Sequence, residues 1–354
     1  MINRKLLSRP ERFVPTVALG VTLLAFLALP LRTGELLTPF DTYNALQVLA
    51  RLGPLVLALG LTMIAGEFDL SVVGTYAFGG MLAVTYGQDH WAIGMGLALA
   101  AGVAVGMIQG VVIARFRISS MPVTLAVYIS LLGLTSSLSG GLSKTFDNPG
   151  VTLWVDRPVL QIFSPRSLLT IAVFVLLAVV LAGSRWGREI RAIGGDRRAS
   201  RVSGVRDDRL LVGLFALSGF LAAGGGALLN FSLGSANPDP GVQPLILAAV
   251  AALLGGVSLV GGRGSVLGLL AGALAIALLA QIVTVAGLPT YLGQLFYALL
   301  LVVVVAVDAP DLRNALIRAR ARLRHRAGAP PLETTGIETG LETTGLDTTG
   351  RASS

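Results

Sequence analysis

Long apolar runs alternate with short polar joints along the chain as far as residue 308. Ten runs stand out, at 14–31, 45–65, 70–87, 91–113, 122–139, 167–184, 210–231, 244–260, 265–286 and 291–308. Most approach the roughly 20 apolar residues that a helix needs to cross about 30 Å of hydrocarbon. The pattern predicts an all-α, polytopic membrane protein with about ten transmembrane helices. Two joints are very tight. Gly66, Glu67, Phe68 and Asp69 separate the second run from the third, and Gly261, Gly262, Arg263 and Gly264 separate the eighth from the ninth. Either joint fits a hairpin or a broken helix. The first run follows a basic start (Arg4, Lys5, Arg9, Arg12) and ends Leu29, Pro30, Leu31, Arg32, with no small-x-small cleavage pattern. It reads as a retained first span rather than a signal peptide.

Composition narrows the class. Of 354 residues, 54% are hydrophobic and 13% charged, whereas soluble domains carry about 25% charge. Too few polar side chains remain to cover a water-facing surface, which argues against a soluble enzyme, a nucleic-acid-binding domain and a disordered chain. The net charge of +8 is concentrated in loops. Four basic residues precede the first span, Arg115 and Arg117 follow the fourth, eight Arg occupy 185–209, and seven lie beyond 309. With ten spans these regions share one side, while the other side holds Arg32, Lys144, Arg157 and Arg166. The positive-inside rule then places both termini in the cytoplasm of a cell inner or plasma membrane. There is no Cys, hence no disulfide or thiolate site, and His90 and His325 are too few for a His-based metal site.

Residues 139–166 form the longest outside loop, with three prolines and Trp154; it reads equally as a plain surface loop or as a lid or docking surface. The segment 311–326 fits a basic amphipathic helix on the inner leaflet or an unstructured basic run. The tail 327–354 repeats LETTG, IETG, LETTG and LDTTG and lacks the apolar residues for a core. Gly94, Ala98, Gly102, Gly106 and Gly110 recur every four residues, as do Gly264, Gly268 and Gly272. Such faces let helices approach closely, and generic packing accounts for them. A short echo, Ser71-Val72-Val73-Gly74 against Ser265-Val266-Leu267-Gly268, is compatible with chance.

Catalytic constellations are missing. No GxxxxGK[ST], HExxH, CxxC or GxSxG occurs, so no catalytic residue, metal site or bound cofactor is expected. Any driven transport takes its energy from an ion gradient or from another subunit. Acids stand at run boundaries (Glu67, Asp69, Asp308) rather than mid-span, where an ion-coupled carrier would place them. Arg51 is the one clear charge inside a run; it fits snorkelling or a pathway role. Asn44, Gln47, Asn230 and other uncharged polar residues suit a pathway for a neutral polar solute, or interhelical hydrogen bonds.

The loop 185–209 is the most informative segment. Asp196 follows Gly194-Gly195 and is placed to N-cap a short helix that Gly204 would end. Ala199, Val202 and Ser203 would form a small apolar face and Arg197, Arg198 and Arg201 a basic one. Such an element suits docking, with a solvated basic loop as the plain alternative. Here GREIRAIGGDRRASRVSGV (187–205) resembles the cytoplasmic signature of ribose-type ABC importer permeases, G-R-x-x-x-A-x-G-G-N-x-x-A-A-R-x-S-G-I. GEFDLSVVG (66–74) is similar to that family's G-G-I-D-L-S-V-G, and LLGGVSLVGGRGSVLG (253–268) to its V-L-G-G-x-S-L-x-G-G-x-G-x-x-x-G. Glu67 stands for the family's second Gly, Asp196 for its Asn, and Leu245, Ile246 and Leu247 where an acid pair is common.

The resemblance spans about 45–308 and implies a type II ABC importer permease of the branched-chain amino acid and sugar superfamily. It implies a second permease copy or paralogue, an ABC ATPase subunit that uses the ATP, and an extracytoplasmic solute-binding protein, all around a chain embedded in the bilayer. It makes 194–204 a coupling helix, with Gly194, Gly195, Asp196, Ala199, Ser203 and Gly204 as its residues. Asn44, Gln47, Asp69, Ser71 and Asn230 are the pathway candidates. The domains expected are a cytoplasmic N-terminus (1–13), a permease domain (14–308) and a cytoplasmic tail (309–354). A monosaccharide is the expected solute, with a nucleoside or another polar solute as the alternative and an ion-coupled secondary carrier as the rival class.

Overall fold

A computed structural model describes residues 14–34 and 36–308. The N-terminal basic stretch, the 311–326 helix and the Thr/Gly-rich tail lie outside the described residues. The elements in chain order are α1 (Val14–Leu27), α2 (Leu29–Thr33), α3 (Pro39–Ile64), α4 (Val72–Tyr86), α5 (Trp91–Phe116), α6 (Ser120–Ser139), β1 (Lys144–Thr145), α7 (Pro149–Val155), α8 (Pro165–Gly183), α9 (Arg185–Gly195), α10 (Arg197–Val202), α11 (Asp207–Leu233), β2 (Ser235–Ala236), α12 (Gln243–Leu254), α13 (Val266–Val285) and α14 (Thr290–Asp308). Against ten expected spans, six described helices are long and apolar enough to cross a membrane: α3, α5, α6, α8, α11 and α13. Four shorter apolar helices, α1, α4, α12 and α14, fall on the remaining expected runs.

Helix starts follow local chemistry. The Asp41 carboxylate accepts the Thr38 N–H at 2.8 Å and its hydroxyl at 2.7 Å, closing the first turn of α3. Ser164 and Ser167 exchange side-chain and backbone bonds at the head of α8. Ser265 accepts the Gly268 N–H at 3.0 Å and caps α13. All three arrangements satisfy donors that a helix start leaves open.

Helix α3 is central: Leu49 and the whole stretch Leu52–Ile64 are buried. It packs on α8, α11, α12 and α13. A second group is built by α4, α5 and α11, and glycine is the reason. A methyl on Gly106 would overlap the Phe215 carbonyl, one on Gly219 the Gly102 carbonyl, and one on Gly226 the Tyr76 carbonyl. The four-residue glycine repeat of α5 is thus the seam against α11 and α4, as the packing reading expects. Gly268 and Gly272 do the same for α13, against Gly255 and Ala251.

The two tight joints are broken, not simple hairpin turns. Helix α4 has 15 residues, about 22 Å at 1.5 Å each, short of a roughly 30 Å core. The segment 65–71 supplies the remaining depth without helix. Non-helical backbone at that depth must be paired by protein, and it is. Glu67 N–H goes to the Thr62 carbonyl at 3.0 Å. Phe68 N–H goes to Ser120 Oγ at 3.0 Å, Leu70 N–H to Thr124 Oγ1 at 3.1 Å, and Ser71 N–H to Asp69 Oδ1 at 3.0 Å. Helix α12, with 12 residues, is shortened likewise and continues through the non-helical segment 255–265.

Candidate coupling and translocation site

The three sequence motifs converge at one end of the bundle. Gly194, near the C-terminus of α9, lies where the two broken segments meet. A methyl there would overlap both the Ile64 carbonyl oxygen at the end of α3 and the Gly262 N–H. That N–H itself donates to the Ile64 carbonyl at 2.9 Å. Gly66 (φ +79°), Gly261 (φ +92°) and Gly262 (φ +75°) all adopt the left-handed backbone that only glycine enters freely. A Cβ on Gly261 would lie 2.6 Å from the Gly66 Cα, and one on Gly262 2.7 Å from the Gly195 Cα. Three glycine-rich stretches, 66, 194–195 and 261–262, form a side-chain-free junction of backbones.

From this junction α10 projects. The Asp196 carboxylate accepts the Arg198 N–H at 2.8 Å and the Ala199 N–H at 3.0 Å. These two bonds hold it below its ordinary pKa. Gly204 closes the helix with φ +84°, its N–H bonded to the Arg201 carbonyl at 2.9 Å. The cap and stop expected from sequence are present. Of the six coupling candidates, Gly195, Asp196, Ala199, Ser203 and Gly204 are exposed, and Gly194 is wedged in the junction. Val202 is 90% exposed, so Ala199, Val202 and Ser203 share an open face. The basic set divides: Arg198 points to solvent, while Arg197 and Arg201 turn to the bundle and bind Asp207. The sequence analysis did not anticipate α9, an 11-residue helix capped by Ser184, with Gly187, Ile190 and Ile193 buried.

The pathway candidates do not gather in one place. Asp69 and Ser71 belong to a buried cluster: Ser71 Oγ donates to Asp69 Oδ1 at 2.6 Å, and Ser218 Oγ to Oδ2 at 2.9 Å. Gln109 Nε2 lies 3.5 Å from the same oxygen, and its Oε1 is buried without a hydrogen-bond partner. Asp69 is 1% exposed. The expectation that the acids stand only at span boundaries is therefore corrected, because the broken segment carries Asp69 inward to the level of Gln109 and Ser218. Asn230 is buried where α11 crosses Gly80 of α4, and donates to the Gly226 carbonyl at 2.8 Å.

Gln47 sits at the opposite end from α10, in a cluster built on Asp156 of the 139–166 loop. Asp156 accepts from Gln47 Nε2 and Arg166 Nε, each at 3.1 Å, and from the Ser232 hydroxyl; Tyr43 donates to its carbonyl. Gln47 Oε1 accepts from Ser164 and Arg166, each at 3.1 Å. Arg166, read as an outside-loop charge, is 5% exposed and paired. No hydrogen bond joins Asn44 to this cluster. The loop is stapled to α3, α8 and α11 here, and β1 pairs antiparallel with β2 beside it. Under α7 lies an apolar cavity of about 300 Å³ lined by Trp91, Trp154, Val155 and Phe231, among others. Arg51 is exposed on α3 and donates no bond to either cluster. Sequence reasoning missed Tyr43, Asp156, Arg166 and Ser218 as site members; Gln109 was among the polar residues inside apolar runs, a signal that carried no pairing.

Comparisons with known proteins identify the family. Residues 44–305 match the family described as branched-chain amino acid transport system / permease component. The chain is 32% identical over 279 residues to the ribose import permease protein RbsC of Haemophilus influenzae, covering 76% of this chain and 86% of that one. It is 29% identical over 299 residues to the L-arabinose ABC transporter permease protein AraH of Azospirillum brasilense (81% and 85%). It is 29% identical over 310 residues to the fructose import permease protein FrcC of Rhizobium meliloti (83% and 84%). No solved structure matches. The matched region takes in all three converging motifs, and the chain belongs to this family of multi-pass ABC transporter permeases, which are not enzymes.

Proposed function

We propose that this chain is the transmembrane subunit of an ATP-binding cassette importer for a monosaccharide, with ATP bound and hydrolysed by a separate subunit. The observation that carries the reading is α10: a short helix capped at both ends, seated by Gly194 where two broken membrane segments meet, with an open face of Ala199, Val202 and Ser203. A helix anchored in this way transmits a push from a docked ATPase to both breaks, a rigid-body lever of the kind that switches alternating access. The names of the relatives, permeases for ribose, arabinose and fructose, support a monosaccharide as cargo.

In this reading the ten apolar helices lie in the inner membrane, the end carrying 185–209 is cytoplasmic, and the positive-inside reading puts both termini in the cytoplasm too. The opposite end, with the stapled 139–166 loop, receives solute from an extracytoplasmic binding protein. Apolar side chains exposed along α6 and α8, such as Ile129, Leu134, Leu176 and Val179, face lipid or a second permease copy. Asn44, Gln47 and Asn230 line the solute's route, and Asp69 and Ser71 hold the break from which α4 starts. The test is copurification in mild detergent with mass spectrometry. An ABC ATPase should accompany the intact chain and be lost when 196–203 is scrambled. An ATPase retained by the scrambled chain would contradict docking through α10.

A further inference from the structure

We infer that Glu67 and Arg197 form a positioning pair that carries motion of α10 into the broken segment at the head of α4. The inference rests on the docking reading above and adds the route by which the movement travels. Arg197 is the first residue of α10, and one of its Nη atoms donates to Glu67 Oε1 at 2.9 Å, across 130 positions of sequence. Glu67 is 8% exposed and Arg197 about a third exposed, so the carboxylate is largely shielded while the guanidinium stays in reach of solvent, and what singles the pair out is its place between α10 and the break rather than its strength.

What Glu67 is attached to gives the pair its consequence. Its own N–H is bonded to the last turn of α3 through the Thr62 carbonyl. The residues after it are Phe68, held by Ser120, and Asp69, held with Ser71 and Ser218. A displacement of Glu67 therefore displaces the non-helical segment from which α4 begins. The same Arg197 also donates to Asp207 through Nε at 3.3 Å, and Asp207 holds Arg201 at 2.6 Å. Helix α10 thus has two ionic tethers, one to the head of α11 and one to the α3–α4 break. Removing the Glu67 charge leaves the Asp207 tether and the Gly194 junction in place. Docking should survive and transmission should not.

The natural chain has no Cys, so Leu70→Cys gives one reactive position inside the break. The full chain, copurified with its ATPase, is labelled with N-ethylmaleimide without nucleotide and after trapping with ATP and vanadate. Trapping should change the labelling rate in the Leu70→Cys chain. Adding Glu67→Gln, or Arg197→Gln from the other side, should bring the ratio of the two rates to unity while the ATPase still copurifies; Glu67→Asp should preserve the change. A nucleotide-dependent change that persists in both neutral variants overturns the inference and leaves the docking reading standing. Loss of the ATPase on Glu67→Gln makes the pair a docking contact and also overturns it. No change in the Leu70→Cys chain alone would overturn the inference, while copurification of the ATPase leaves the docking reading standing.

Discussion

At the scale of single residues, the contacts of Asp196 and of the two neighbouring glycines set distinct expectations. Asp196 is exposed and held by two backbone N–H groups, and its folded pKa is lowered. A lowered carboxyl pKa contributes stability above the unfolded value of about 3.9 and loses it as pH falls through the lower folded value. The start of α10 should therefore keep its protection at neutral pH and fray in strong acid. Hydrogen exchange at Arg198 and Ala199, corrected for intrinsic rates, checks this. Asp196→Ala should show the frayed behaviour already at neutral pH, whereas Asp196→Asn should keep much of the cap. Gly194 and Gly195 are adjacent yet unequal. A methyl on Gly194 meets the Ile64 carbonyl and Gly262, while a Cβ on Gly195 meets nothing within 4 Å. Gly194→Ala should cost about 1–3 kcal/mol by overpacking and lower the melting temperature in detergent. Gly195→Ala should leave the melting temperature nearly unchanged, and an equal effect of the two would contradict the junction.

At the scale of elements, the account turns on breaks held open by side chains from neighbouring helices. Ser120 and Thr124, both buried on α6, pair the Phe68 and Leu70 amides. Ser120→Ala and Thr124→Ala each orphan a buried donor, at about 1–3 kcal/mol apiece. Thermal unfolding should show both losses, and exchange at Phe68 and Leu70 should quicken selectively; a uniform change across α4 would count against the pairing. These elements were unevenly legible. The ten apolar runs all carry helices: α4, α5, α8, α12 and α13 bury a face against α3 or α11, while α1, α6 and α14 pack chiefly on α13, α4 and α12; the α10 cap was readable because Asp196 and Gly204 act locally. Helix α9 was hidden because its apolar residues, Ile190 and Ile193, are diluted by arginines that face water. The burial of Asp69 and Arg166 was not legible for one shared reason. Hydropathy locates a charge along the chain, but only tertiary structure shows that 65–71 turns inward or that Asp156 reaches back to neutralise Arg166.

At the scale of the whole molecule, polar chemistry is divided between two ends joined by apolar, glycine-packed helices. One end has the backbone junction, α10 and the Glu67–Arg197–Asp207 network. The other has the Asp156 cluster that ties the 139–166 loop to α3, α8 and α11. Asp156→Ala would leave Arg166, at 5% exposure, with Gln47 as its remaining side-chain partner; because Asp156 is itself 29% exposed, the loss should stay below the ~3–5 kcal/mol of breaking a fully buried pair. Limited proteolysis should then open the loop before the bundle unfolds. The most direct test of an ATP-driven permease is transport by the reconstituted chain. Liposomes holding the chain with its copurified ATPase and binding protein are offered radiolabelled ribose, arabinose and fructose, with ATP or with an imposed proton or sodium gradient. The proposed function predicts accumulation of one of these sugars that requires ATP and ignores the gradients. Accumulation by the chain alone, driven by a gradient without ATP, would contradict that reading and make the buried Asp69 a coupling site of a secondary carrier.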